Sequence, residues 1–384
     1  MRSSIKTAML SRYEQALEAL NRRARLRALE GRAGIDFTSN DYLGLAESDA
    51  LKAALIEALQ RGVPVGAGGS RLLRGNHPEH EALEDEAKAF FGAESALFFG
   101  AGFAANAALI STLPQRGDLV LYDALVHAST HEGLGLTKAT TDAFAHNDLT
   151  QLEEKLRVFR ASNTEARCFI AIESLYSMDG DLAPLADIAK LAARYDGILF
   201  IDEAHATGVQ GPHGRGLSAD HEGQANIISL HTCSKALGVS GALVLMPELL
   251  RRFMINRSRA FIYATAPSPL MAAGVRAALK ICAKADDRRT ALQERIAQLN
   301  GHLQKIGLPV TGTQIQPIVL GADRRALDMA QALAREGFDI RAIRPPTVPE
   351  GTARLRITLS ANLTRDNIDA LGNTLSRLMQ ERAA

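Results

Sequence analysis

The sequence predicts an α/β protein in two parts: a large domain whose mostly parallel sheet lies between helices, and a smaller C-terminal α+β domain. Two observations predict it. From about residue 46 to 270, short and wholly apolar runs alternate with segments of helical periodicity. Strands that are apolar on both faces belong to parallel sheets covered on two sides. Beyond Pro267 and Pro269 the pattern changes to a long helical stretch and then a mixed set of strands and helices. The expected segments are an N-terminal helical arm over 1–45, the large domain over 46–270, and a linking helix with the small domain over 271–384.

In chain order, residues 9–30 carry helical periodicity, with Leu10, Ala16, Leu17, Leu20 and Leu26 set against many arginines. The turn-rich FTSNDYLG (37–44) closes this arm. Strands are expected at 96–99, 119–122, 168–172, 198–201, 227–230 and 242–245. A helix over 78–91 shows Leu83, Ala87 and Phe90 on one face before Gly92 stops it. One long helix should run from about 270 through Leu299. The small domain should hold a strand at 315–320, a helix at 326–336, a strand at 354–359 and a last helix near 366–380.

Composition narrows the function. The 384 residues include 44 basic and 43 acidic side chains, a net charge of +1, which argues against nucleic acid or an anionic membrane as partner. The N-terminus lacks the apolar core of a secretory signal. The most apolar stretch, 96–110, is broken by Gly100, Gly102 and Asn106 and is too short for a bilayer. Cys168, Cys233 and Cys282 lie far apart without metal-ligand spacing, so buried reduced thiols in a cytoplasmic, soluble protein are expected, with no metal.

The chemistry concentrates at strand ends. Lys235 lies in LHTCSKALG (230–238), just past an apolar run, where an ammonium must snorkel, pair or be neutralised covalently. Upstream, GILFIDEAH (197–205) ends a second apolar run with Asp202 and His205. A Schiff-base lysine with an aspartate for the ring nitrogen is what pyridoxal 5′-phosphate (PLP) asks of its protein. Asp202 alone would read equally well as a helix cap, and His205 alone as a structural histidine. GAGF (100–103) leaves one strand and opens a helix, a single phosphate cradle of backbone amides. Ala105 stands where a dinucleotide fingerprint needs its third glycine, which disfavours a dinucleotide-binding oxidoreductase. Thr232 offers a hydroxyl to the phosphate, and His127, after the 119–122 run, an imidazole to lie on the ring. Glu173 and Ser177 follow the 168–172 run in the same way. The convergence of five strand ends is far more telling than any one of them.

Together these residues resemble the α-oxoamine synthases, PLP-dependent transferases of fold type I. The similarity runs from FTSNDYLGL (37–45) to RLRITL (354–359). Three stretches look like the biotin-pathway branch of that family: SNDYLGL (39–45), GGSRLLRGN (68–76) and, most specific, IRPPTVPEGTARLR (343–356). The resemblance implies that Lys235 carries the cofactor and acts as acid and base, that Asp202 pairs with the pyridinium, and that His205 and Ser177 bond the ring-hydroxyl side. It implies stacking by His127, and a phosphate held by Gly102, Phe103 and Thr232, with Thr265 reaching across from a second subunit of a homodimer. Arg356 is implied as the clamp on the amino-acid carboxylate, with Arg27, Asn40, His127 and Thr347 as further substrate contacts. The implied reaction is decarboxylative condensation of L-alanine with a pimeloyl thioester of CoA or acyl carrier protein. A sister synthase joining glycine to acetyl-CoA is the alternative among enzymes. A regulatory or scaffold protein on the same fold is the alternative outside them.

Overall fold

The computed structural model describes residues 2–163 and 165–381. Helix α1 (Arg2–Arg22) and strand β1 (Ile35–Asp36) open the chain. Next come α2 (Asp49–Gln60), α3 (Pro78–Phe91), β2 (Ser95–Phe99), α4 (Gly102–Thr112), β3 (Leu119–Asp123), α5 (Ala128–Leu136) and β4 (Thr140–Phe144). The middle holds α6 (Leu149–Ser162), β5 (Cys168–Glu173), α7 (Leu185–Arg194), β6 (Gly197–Asp202), β7 (Ile227–Thr232) and β8 (Ala242–Met246). Helices α8 (Glu248–Arg257), α9 (Arg259–Ile262), α10 (Pro269–Cys282) and α11 (Asp286–Lys305) follow. The chain ends with β9 (Ile315–Gly321), α12 (Asp323–Arg335), β10 (Phe338–Asp339), β11 (Arg341–Ile343), β12 (Ala353–Thr358) and α13 (Arg365–Glu381).

One compact unit comprises 40–177 and 181–292. Its seven-stranded sheet has the order β2-β8-β7-β6-β5-β3-β4. Strands β3 to β7 are mutually parallel, and β8 runs antiparallel to both β7 and β2. Period-two alternation splits the apolar residues between two cores. Phe169 and Ala171 of β5 join Ala105, Leu109 and Ile110 of α4 on one face. Cys168, Ile170 and Ile172 join Leu152 and Leu156 of α6 and Ile188 of α7 on the other. The wholly buried runs therefore report a sheet covered on both sides, as their composition predicts.

The second unit comprises 1–39, 178–180 and 293–384. It contains the antiparallel sheet β11-β12-β9 and the parallel pair β1-β10. Ala326, Met329, Ala330 and Leu333 of α12 are buried at helical spacing, as are Ile368, Leu371, Leu375 and Leu378 of α13.

The structure differs from the sequence expectation in five places. Helix α10 belongs with the large unit, not after a break at 270, because its Leu270 and Ala273 pack on Ala58 and Val63. The expected single helix to Leu299 is two, since the chain turns at 283–285 and Asp286 and Asp287 start α11 where acids favour a helix N-terminus. In α3 it is Phe91, not Phe90, that is fully buried. Helix α1 stops at Arg22, well short of 30, with Ala24 in the left-handed region at φ 56°. Its Leu10, Leu17 and Leu20, expected to pack, are exposed on the single chain.

Candidate active site

The residues singled out in the large unit lie at or just beyond its strand ends. Lys235 sits in the turn after β7, half-buried, with its Nζ 2.9 Å from His205 Nε2. His205 is buried, and its Nδ1 lies 2.5 Å from the hydroxyl of Tyr42, which donates to Asn40 Oδ1 at 3.0 Å. Asp202, the last residue of β6, is buried; Oδ1 accepts the Ala204 amide at 2.9 Å and Oδ2 accepts Asn106 Nδ2 at 2.6 Å. Short charge-assisted bonds of this kind fix where a carboxylate points.

His127 caps α5, its Nδ1 accepting the Ser129 amide at 3.2 Å and lying 2.8 Å from Ser129 Oγ. Its ring meets that of Phe103 edge-on with centroids 6.5 Å apart. Burial pushes the His127 pKa down, outweighing the attraction of Asp202. On the neighbouring strand, Glu173 stands in register with Asp202. Its Oε2 accepts the Ser177 amide at 3.0 Å while Oε1 has no hydrogen-bond partner among the described residues. Burial first, then the nearby Asp202, push its pKa up.

The residues fit a pyridoxal phosphate. Helix α4 starts at Gly102 behind Ala101, which caps it with no side chain, so its first amides are left for an anion. A Cβ on Gly102 would lie 2.4 Å from Thr232 Oγ1. Only glycine brings those amides so close to the hydroxyl. Phe103 is half exposed at the same helix start, and Thr265 is exposed beyond α9. Lys235 and Asp202 end adjacent parallel strands, so one amine and one carboxylate face the same rim.

The remaining predicted residues belong to the second unit. Arg27 Nη2 donates to Thr347 Oγ1 at 3.1 Å, bringing together two residues expected to touch substrate. Arg356 is buried in β12, and its Nη1 donates to Thr358 Oγ1 at 2.8 Å. Two positions along the strand, Arg354 is also buried and meets Asp179 Oδ1 at 2.5 Å.

Sequence reasoning passed over Tyr42, Asn106 and Ser129. Tyr42 lay inside a motif already singled out, but its partner His205 is 163 positions away. Asn106 interrupts an apolar helix, and a polar side chain among Ala105, Ala108 and Leu109 is a signal that it has a buried partner. Cys233, near Lys235, is fully buried with its thiol pKa pushed up, so it is no nucleophile.

A profile of class I and II aminotransferases matches residues 32–375. The chain belongs to this family. Within class I and II aminotransferases, it is 42% identical to the 8-amino-7-oxononanoate synthase of Chromobacterium violaceum, over 91% of this chain and 90% of that protein. The solved 8-amino-7-oxononanoate synthase of Francisella tularensis is 29% identical, with TM-score 0.77 over 91% of this chain and 99% of the other. A serine palmitoyltransferase of S. paucimobilis, solved with a PLP–myriocin aldimine, gives TM-score 0.88 at 25% identity, over 98% of both chains. Backbone likeness alone therefore does not separate these activities; sequence identity does.

Proposed function

We propose that the chain is a PLP-dependent 8-amino-7-oxononanoate synthase of biotin biosynthesis. It condenses L-alanine with a pimeloyl thioester and releases carbon dioxide and the free thiol. The carrying observation is the 42% identity to a synthase of that name along nine-tenths of both chains. Lys235, Asp202 and the Gly102–Thr232 cradle support it, because they suit this cofactor at the strand ends.

When bound, PLP supplies an electron sink for negative charge developing at the alanine Cα. Lys235 Nζ would hold the cofactor and, as a free amine, would take the alanine Cα proton and later return one. His205 orients Nζ and, with Ser177, would bond the ring-hydroxyl side. Asp202 would pair with the ring nitrogen, and His127 would cover the ring. Gly102, Phe103 and Thr232 would hold the phosphate. Arg356 clamps the alanine carboxylate, a task suited to the guanidinium fork. Asn40 and the Arg27–Thr347 pair contact substrate. Alanine Cα attacks the thioester carbonyl, the carbon–sulfur bond breaks, and the alanine carboxyl leaves as carbon dioxide.

The working form is a homodimer in which Thr265 completes the partner's phosphate site. A cytoplasmic location suits the three buried, unpaired thiols. Among the described residues no helix is long and apolar enough to cross a membrane.

The test is to mix PLP-loaded protein with L-alanine and either pimeloyl-CoA or pimeloyl-acyl carrier protein and search for the amino-ketone by mass spectrometry. Product from alanine, and none from glycine with acetyl-CoA, is expected. Product only from the second pair would leave Lys235 its role and transfer the chain to a sister synthase.

A further inference from the structure

We infer that Asn106 and Ser129 are positioning residues that hold His127 as the neutral tautomer protonated on Nε2 and tie it to the carboxylate of Asp202. The inference rests on the reading above for its purpose, though not for its geometry. The amide N–H of Ser129 can only donate, and it points at His127 Nδ1 from 3.2 Å. That nitrogen therefore carries a lone pair, and the proton of the neutral ring is on Nε2. Ser129 Oγ, 2.8 Å from the same nitrogen, must donate to it and is left to accept. It accepts from Asn106 Nδ2 at 3.0 Å.

The far end of the chain is fixed as well. A carboxylate only accepts, so Asp202 Oδ2, at 2.6 Å, compels the Asn106 side chain to present Nδ2 and not its oxygen. Reversing any link would set two donors or two acceptors face to face. Forming the imidazolium would place a proton on Nδ1 against the Ser129 amide N–H, which can only donate. Burial of His127 acts in the same direction. The charged or titratable groups around His127 are Asp202, Lys235 and His131, each on a different element.

The arrangement has a use in the proposed reaction. A protonated His127 would compete with the ring nitrogen for the charge of Asp202. Holding the imidazole neutral reserves that carboxylate for the cofactor, while Asn106 on Oδ2 and the Ala204 amide on Oδ1 fix its orientation. Asn106 thereby couples the group beneath the ring to the group that pairs with its nitrogen.

The experiment uses the full-length protein labelled with 15N-histidine and read by NMR without cofactor, His127 being assigned by its loss in His127→Gln. Expected is a His127 signal with Nδ1 at the unprotonated position and Nε2 at the protonated one, persisting below neutral pH. In Ser129→Ala, His127 should take up its proton at higher pH, while PLP affinity stays within about twofold because Asp202 keeps its donor. In Asn106→Leu both should change, with the PLP dissociation constant rising about tenfold, the loss of one bond to a charged group. A wild-type spectrum with Nδ1 protonated would overturn the inference, as would unaltered His127 titration in Ser129→Ala. Should Asn106→Leu fail to fold, the wild-type and Ser129→Ala spectra still decide. If the protein takes up no PLP, the proposed function falls while the cofactor-free spectra still judge the network.

Discussion

His146 links two carboxylates of the large unit, and removing it should weaken the fold in a pH-dependent way. Its Nδ1 meets Asp123 Oδ1 at 2.9 Å and its Nε2 meets Asp181 Oδ2 at 2.7 Å, with Tyr176 edge-on at 4.4 Å. Burial opposes a charge there, but the bonds to Asp123 and Asp181 prevail and raise the pKa from 6.5 to about 10. A rise of that size corresponds to about 5 kcal/mol. About a quarter of the His146 side chain is open to solvent, so screening reduces the realised contribution to about 3 kcal/mol. Because the folded-state pKa is raised, this stability is fully present below the ordinary histidine value, declines as pH climbs, and is lost once pH passes about 10. His146→Gln should therefore unfold at lower urea than wild type at about pH 6, and the two curves should converge by about pH 10.5. Comparing the two proteins cancels the lysines and tyrosines that titrate alike in both. A gap below about 1 kcal/mol at the lower pH, or one that stays constant to the higher, would refute the bridging account.

Four other outcomes are expected. Lys235→Ala should lose turnover and the covalent cofactor absorbance, and a variant that still makes product would end the assignment of that lysine. Arg356→Ala should raise the KM for alanine strongly with the fold intact, whereas an unaltered KM removes Arg356 from the carboxylate role. Gly102→Ala adds a Cβ 2.4 Å from Thr232 Oγ1 and should weaken PLP binding about tenfold or more, read by absorbance titration. Sedimentation should show a dimer, and a fully active monomer would contradict the role given to Thr265.

Much of this was legible because parallel strands buried on two faces hold few polar residues before they end, the paired Ser229 and His231 of β7 being the exception among these runs. The runs closing at Asp202 and Thr232 announce themselves for that reason. Strand β4 does not: its Thr140, Thr141 and Asp142 are exposed at a sheet edge, so it has no apolar signature. The break between α10 and α11 was hidden because Ala283 and Ala285 are good helix formers, and tertiary packing overrode their preference. Partners far apart in sequence were hidden for another reason. Nothing local to Asn106 names Asp202, 96 positions on, and nothing local to His146 names Asp181. Local pattern gives each strand end its residue type, while only the fold says which ends meet.

The place of β8 in the sheet bears on synthesis of the chain. It is the last strand of the large unit to be made, yet it lies between β7 and β2, and among the described residues β2 has no other strand neighbour. A ribosome that has released residues 95–99 has produced a strand whose sheet partner is still to come. Only when 242–246 emerge does β2 dock, and by then Lys235 is already present. Closure of the sheet at that edge thus waits for 242–246, so a product truncated before them leaves β2 without its strand partner.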